Sequence, residues 1–140
     1  MSADVDRSLD SLSPRFRPLV DRFLARLVEA KIPVMIVSTL RTAAEQAEAV
    51  RTGHSKVKHS KHQDGDAIDV VPYSQYAIHG DNKLLWDTTD PIWLKIGAIG
   101  ESVGMRWGGR FPPLNTIGVG WDPGHFEYLE SPPRTSTVAA

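Results

Sequence analysis

The sequence contains no cysteine, which excludes disulfides, thiolate nucleophiles and thiolate zinc sites. Any zinc would therefore have to be bound by histidine, aspartate or glutamate. The N-terminal segment MSADVDRSLDSL lacks both a basic start and an apolar core, and no apolar run is long enough to cross a bilayer. We therefore expect no signal peptide, no stable membrane insertion, and a protein that first resides in the cytoplasm.

The chain also lacks an excess of charge of either sign. It has 16 basic and 17 acidic residues and a net charge of -1, so its charge favours neither nucleic acid nor an anionic membrane as a partner. Its 140 residues, of which 41% are hydrophobic and 24% charged, are typical of one globular domain. We predict a monomer with a single domain over residues 1–130 and a disordered tail over residues 131–140.

Hydrophobic periodicity, interrupted by proline and glycine, predicts the elements of an α+β fold. A first helix is predicted to begin at Ser13-Pro14 and to end near Lys31, although Pro18 can also mark its start. Further helices are predicted over residues 42–50 and from Asp90-Pro91 to Gly104, and short strands over residues 34–40, 67–71, 105–109 and 125–129. We expect a small, mainly antiparallel sheet packed with about three helices.

The stretch SKHQDGDAID, residues 60–69, is the most chemically dense part of the chain. A strand is predicted over residues 67–71. Because side chains alternate along a strand, burying its apolar residues on one face directs Asp69 to the opposite face. Gly65 permits a tight bend before that strand, so His62 can fold back over the same face and meet Asp69 at one metal ion. The alternative is a solvated surface loop that binds no metal.

The segment WDPGHFEYL, residues 121–129, holds a second group of polar residues. His125 and Glu127 share one face of the predicted strand. The four residues DPGH, 122–125, have the composition of a type II turn, with proline second and glycine third. Such a turn would bring Asp122 beside His125.

Together the two segments supply the ligands of a catalytic zinc site on the face of the sheet. His62, Asp69 and His125 form a three-ligand set that leaves a fourth position for water. Zinc can lower the pKa of that water to about 7, and Asp122 can then act as general base. Glu127 is the rival base, or else a partner that orients a metal ligand.

The remaining histidines and aspartates of the polar loops are expected to be solvated, without a role in the metal site: His54, His59, Asp64, Asp66 and His79. Trp93 is expected in the core, whereas Trp107 and Trp121 remain candidates for stacking on a sugar. Gly97 and Gly100 lie within a predicted helix, where they either weaken the helix or mark close packing.

At these residues the sequence resembles the D-Ala-D-Ala carboxypeptidase and L-alanyl-D-glutamate peptidase family, and its phage endolysin branch is the most similar. The shared signature is SxHxxGxAxD at residues 60–69, followed far downstream by DxxH at residues 122–125. The segment STLRTAAEQ supplies the arginine and the downstream glutamine of the family as Arg41 and Gln46, and GMRWGG matches a segment before the last ligand. The resemblance spans most of the chain.

This resemblance implies a set of site residues and a reaction. The implied zinc ligands are His62, Asp69 and His125. Asp122 would be the catalytic base, Arg41 would stabilise an oxyanion or hold a substrate carboxylate, and Ser60 and Gln46 would bind substrate. The implied reaction is hydrolysis of a peptidoglycan stem peptide between L-Ala and D-Glu. The enzyme would be an endolysin, kept in the cytoplasm and released to the cell wall or periplasm at lysis.

The sequence departs from the family pattern in two places, and these departures leave undecided which bond is cleaved. Leu40 stands where the family often has an aromatic residue. Residues 110–120 are a longer segment than the family pattern leads us to expect between the Trp-Gly-Gly motif and the last ligand, and we expect them to form a loop beside the cleft. A D,D- or L,D-carboxypeptidase could use the same site on the same class of substrate. A non-catalytic, zinc-stabilised binding module is a third possibility, against which the presence of Asp122 argues.

Overall fold

The computed structural model describes residues 6–40, 47–48, 50–52, 61–74 and 83–129. Within these ranges the chain forms two α-helices and one four-stranded sheet: α1 (Arg17–Glu29), β1 (Val34–Ser38), β2 (Ala67–Pro72), α2 (Ile92–Ser102), β3 (Met105–Trp107) and β4 (His125–Tyr128). The predicted α+β fold is confirmed. The helix predicted over residues 42–50 and the tail predicted over residues 131–140 lie largely or wholly outside the described residues. Neither described helix is long and apolar enough to cross a membrane.

Helix α1 begins later and ends earlier than its sequence pattern predicts. It starts at Arg17, with Pro18 in its first turn, because proline lacks the N–H that a helix interior would need. Ser13 is not its cap, since the Ser13 hydroxyl donates to the carboxylate of Asp66 instead. At the other end, Lys31 has a φ of 61°, a left-handed conformation that follows the last helical residue. The helix buries one apolar stripe against the sheet: Val20, Phe23 and Leu27.

The sheet is antiparallel throughout, with the strand order β1-β2-β4-β3. Its register places Asp69 of β2 between two partners, Ser38 of β1 and His125 of β4. The strand predicted over residues 34–40 ends at Ser38, after an irregularity in its pairing with β2. This row of three polar residues crosses the sheet on one face.

The opposite face of the sheet packs against the helices, and the two glycines of α2 make this packing close. A Cβ atom at Gly97 would lie 2.4 Å from the ring of Trp107, and one at Gly100 would lie 2.3 Å from the ring of Phe126. Of the two alternatives for these glycines, close packing is therefore the one observed. Trp93 lies in the core as predicted, and Trp107 is also buried there, which removes it as a sugar-stacking candidate.

The prediction that Asp66 is a solvated turn residue is wrong. Only 1% of Asp66 is exposed, and its carboxylate accepts hydrogen bonds from the hydroxyl of Ser13 and from Nη2 of Arg15, the latter at 2.5 Å. The cause is the bend at Gly65, whose φ is 74° and whose carbonyl accepts from the backbone N–H of Ser13. Burial would raise the pKa of Asp66, but Arg15 and Ser13 hold it below its ordinary value.

The close contact of α2 with the sheet predicts that Gly100→Ala destabilises the protein. Alanine normally stabilises a helix relative to glycine by about 1 kcal/mol, but here its methyl group would overlap the Phe126 ring. We expect a loss of about 1–3 kcal/mol in the free energy of unfolding, as for other overpacked cores, measured by urea denaturation. Ala98→Gly, at an exposed position of the same helix, provides the helix-propensity baseline. A gain in stability for Gly100→Ala would contradict the predicted overlap.

The buried Asp66 carboxylate predicts a pH-dependent contribution to stability. Its pKa is lower in the folded than in the unfolded chain, so its stabilisation is present above about pH 4 and is lost as the pH falls through the folded value. Asp66→Asn should lower the free energy of unfolding at pH 7 by about 1.5–3 kcal/mol, and the difference from the wild type should shrink in acid.

A matched control for this variant is Asp21→Asn, which breaks an exposed pair with Arg17 on α1. We expect that substitution to lower the free energy of unfolding by about 0.5 kcal/mol or less. Equal losses for the two variants, or a difference for Asp66→Asn that does not shrink in acid, would be inconsistent with a buried, ionised Asp66.

Candidate metal centre

Two of the predicted metal ligands, Asp69 and His125, are direct neighbours on adjacent strands. They are paired residues of β2 and β4, and their side chains project from the same face of the sheet. Nδ1 of His125 lies 3.1 Å from Oδ1 of Asp69. The strand alternation that buries Ile68 and Phe126 on the other face therefore aims both polar groups at one point.

The third predicted ligand, His62, reaches the same point from the chain preceding β2. It lies in a short 3-10 helix, Lys61–Asp64, and the bend at Gly65 then turns the chain into the strand. Nε2 of His62 lies 3.1 Å from Oδ2 of Asp69, and 2% of the side chain is exposed. Nδ1 of His62 lies 2.7 Å from the carbonyl oxygen of Thr39. Because a carbonyl can only accept, Nδ1 of His62 donates to it, and Nε2 is the ring nitrogen that faces Asp69.

The three side chains therefore have the geometry of a metal site. Each offers one ligand atom, and these atoms all lie within 4.8 Å of one another. The rings of His62 and His125 are 5.2 Å apart and inclined at 64°, so their nitrogens approach Asp69 from different directions. Two imidazoles and one carboxylate are a donor set that suits a catalytic zinc ion.

Electrostatics at this point favour positive charge. Burial would raise the pKa of Asp69, but the imidazoles of His62 and His125 hold it well below its usual range. Burial would likewise lower the pKa of His125, but the carboxylates of Asp69 and Glu127 raise it to about 10. The carboxylates that retain a proton on His125 would equally favour a metal cation at the same place.

Asp122 lies beside His125, at the start of the predicted turn. The backbone N–H of His125 donates to the carbonyl of Asp122 at 3.1 Å, which closes the turn, and Oδ2 of Asp122 lies 3.9 Å from Nδ1 of His125. The side chain of Asp122 is 37% exposed, so a substrate or water can reach it.

The turn itself is not of the predicted type II. That type needs a positive φ at its third residue, and Gly124 does not have one. Glycine is needed there for a different reason, because a Cβ atom would lie 2.4 Å from the carbonyl oxygen of Val70. The carbonyl of Gly124 in turn accepts from the N–H of Val70, so the turn is fastened to β2.

Glu127 lies on the other side of the His125 ring from Asp69. Its Oε1 is 2.7 Å from Nε2 of His125, whereas Asp69 and Asp122 lie on the Nδ1 side. Oε2 of Glu127 is 3.4 Å from Nη1 of Arg106 on β3. Of the two possibilities that the sequence leaves open for Glu127, its geometry favours that of a partner to His125.

The segment of residues 110–120 lies beside the site, as predicted. The ring of Phe111 is 5.9 Å from the ring of His125, and the exposed Trp121 lies 6.1 Å from Phe111. Asn115 secures the segment by donating to the carbonyl of Thr88 and by accepting from the N–H of Ile117.

Three predicted site residues lie outside the described residues, so their roles remain predictions: Arg41, Gln46 and Ser60. The histidines expected to have no role in the site also lie outside the described residues: His54, His59 and His79. Two contacts were not predicted. The hydroxyl of Ser38 donates to Oδ2 of Asp69 at 3.1 Å, and the carbonyl of Thr39 binds His62. Both depend on the pairing of β1 with β2, for which the local sequence carries no signal.

The fold brings two imidazoles and a carboxylate to one point of the sheet, a donor set that suits a metal ion. The family model of phage L-alanyl-D-glutamate peptidases matches residues 1–127, and the chain belongs to that family of peptidoglycan peptidases. The resemblance noted from the two sequence motifs is thereby confirmed. A comparison with curated proteins finds no match.

Solved structures share the fold at low sequence identity. The L-Ala D-Glu endopeptidase ChiX of Serratia marcescens is 23% identical, with a TM-score of 0.65 over 86% of this chain and 83% of that one. VanYB in complex with D-alanine-D-alanine is 16% identical, with a TM-score of 0.55 over 92% and 78%. A variant of the vancomycin resistance D,D-pentapeptidase VanY in complex with Zn(II) is 19% identical, with a TM-score of 0.53 over 84% and 72%.

Proposed function

We propose that the protein is a zinc-dependent endopeptidase that hydrolyses the L-alanyl-D-glutamate bond of peptidoglycan stem peptides, as a phage or prophage endolysin. The observation that carries this proposal is the convergence of His62, Asp69 and His125, whose ligand atoms lie within 4.8 Å of one another. Membership of the phage L-alanyl-D-glutamate peptidase family supports both the substrate class and the bond. The release of such an enzyme to the cell wall at lysis is part of the same proposal.

The residues at the site fit a zinc ion. Nε2 of His62, a carboxylate oxygen of Asp69 and Nδ1 of His125 would hold it, and the Zn(II) complex of a VanY variant with the same fold supports this choice of metal. Bound zinc would supply Lewis acidity that polarises a carbonyl and lowers the pKa of water to about 7. Ser38 would hold Asp69 in its orientation through its hydroxyl.

Asp122 would act as the general base of the reaction. Its carboxylate lies on the same side of His125 as Asp69 and is partly exposed, so it can accept a proton from a water molecule that attacks the scissile carbonyl carbon. When the C–N bond then breaks, Asp122 would return that proton to the leaving amine. Arg41 would stabilise the developing oxyanion, and Ser60 and Gln46 would bind the substrate.

The alternative with a specific observation behind it is a D,D- or L,D-carboxypeptidase. The VanYB structure in complex with D-alanine-D-alanine has the same fold at 16% identity. The two activities differ in the product they release. An endopeptidase would expose a new amino group on D-Glu, and a carboxypeptidase would release a free terminal amino acid.

We expect the purified protein to release new N-terminal D-Glu from purified peptidoglycan. EDTA should abolish this release and added Zn²⁺ should restore it, since catalysis would need the metal. The products would be identified by N-terminal labelling and mass spectrometry, with His125→Ala, which removes one ligand, as the inactive control. Free D-Ala would instead identify a carboxypeptidase, binding without products would identify a binding module, and full activity in EDTA would refute the role of a metal.

The role proposed for Asp122 predicts a separate effect of Asp122→Asn. The amide cannot accept the proton, so kcat should fall by about 10²–10⁴-fold while zinc affinity stays close to that of the wild type. Kinetics on a soluble stem peptide and zinc titration would measure the two quantities. Asp64→Asn, which changes an exposed carboxylate outside the proposed machinery, is the control. A decrease in kcat of less than about tenfold would exclude Asp122 as the general base.

A further inference from the structure

Glu127 is a buried acidic residue that the proposed reaction does not use. It is 6% exposed, although a carboxylate is unfavourable in such a place unless it is paired. Its two oxygens contact different partners: Oε1 lies 2.7 Å from Nε2 of His125, and Oε2 lies 3.4 Å from Nη1 of Arg106. The short contact with Nε2 of His125 places this carboxylate where it can orient the ring of a proposed metal ligand.

We propose that Glu127 is a positioning residue of the metal centre, which keeps His125 in the tautomer and orientation that binds the metal. This inference rests on the proposed zinc site. Only Nδ1 of His125 faces Asp69, so the ring can bind a metal there only if its proton is on Nε2. The carboxylate of Glu127 accepts a hydrogen bond from the N–H at Nε2, and its negative charge makes the imidazole a stronger ligand.

The strand register holds Glu127 in this position. Glu127 is paired with Ala67 of β2 on one side and with Arg106 of β3 on the other. Ala67, its partner on β2, has a small side chain on the same face of the sheet. The guanidinium of Arg106 lies 4.8 Å from the centre of the Phe111 ring, and that ring is 5.9 Å from the ring of His125. Glu127 and Phe111 thus both contact His125, and Arg106 contacts both of them.

The two histidines of the site differ in how their outer nitrogens are held. Nδ1 of His62 donates to the backbone carbonyl of Thr39, which no side-chain substitution removes. His125 presents the opposite nitrogen to the metal and relies on a side chain for its outer contact. Of these two ligands, His125 is therefore the one whose alignment can be changed by a substitution that leaves all three metal ligands in place.

The test compares two variants of similar size that differ in hydrogen bonding. Glu127→Met fills the space but accepts no hydrogen bond from Nε2, whereas Glu127→Gln retains an oxygen acceptor. Zinc affinity of the full chain would be measured by competition with a chromogenic chelator. We expect Glu127→Met to bind zinc about 10–100-fold more weakly than the wild type, and Glu127→Gln to recover at least half of that loss on a logarithmic scale.

Two further measurements separate positioning from general stabilisation. The visible spectrum of bound Co²⁺ reports the ligand geometry, and it should change in Glu127→Met but less in Glu127→Gln. The melting temperature of the metal-free protein reports stability alone. Glu101→Ala, which removes a carboxylate that binds Arg110 elsewhere on the surface, should alter neither zinc affinity nor the spectrum. Should Glu127→Met fail to fold, Glu127→Ala would serve as the variant without an acceptor.

The possible failures are distinguishable. A wild-type protein that binds no zinc would overturn the proposed function together with this inference. A wild type that binds zinc, with Glu127→Met binding it equally tightly and giving the same Co²⁺ spectrum, would overturn the role of Glu127 alone. A loss in Glu127→Gln as large as that in Glu127→Met would also overturn it, because the oxygen acceptor is retained in the former.

Discussion

The antiparallel pairing of Asp69 with His125 is the interaction on which the whole site depends. It sets a carboxylate oxygen 3.1 Å from an imidazole nitrogen on one face of the sheet. A slip of one residue between β2 and β4 would turn one of these side chains to the opposite face. The apolar face prevents that slip, since Ile68 and Phe126 are fully buried and Gly100 allows α2 to press directly on Phe126.

Local sequence patterns predicted the parts of the site that are set by local geometry. Strand alternation correctly turned Asp69 away from the core, and the glycine at position 65 correctly indicated the bend that carries His62 back to it. The composition of residues 122–125 correctly indicated a turn that places Asp122 next to His125. The contact of His125 with His62 and Asp69 joins segments that are far apart in the chain. For that contact the sequence offered only a resemblance to a known family.

The predictions that were wrong or missing concern partners distant in the chain. Asp66 looked like a solvated turn former because its partners, Ser13 and Arg15, lie about fifty residues earlier in the chain and meet it only when the chain folds. The contact of Ser38 with Asp69 was not foreseen, since it requires the register of β1 on β2. The type II turn predicted at residues 122–125 would need a positive φ at Gly124, whereas the constraint observed there is the nearby backbone of β2.

Contacts with β2 and with the core also hold the turn that carries Asp122. Three hydrogen bonds fix the turn that carries Asp122: from the N–H of Val70 to Gly124, from Nε1 of Trp107 to Pro123 at 2.7 Å, and from His125 to Asp122 itself. The buried Trp107, which its sequence position left open as a sugar-binding residue, thus fastens the turn from the core side. Because β2 and the core both hold the turn, Asp122 keeps its distance from His125 while 37% of its side chain stays exposed.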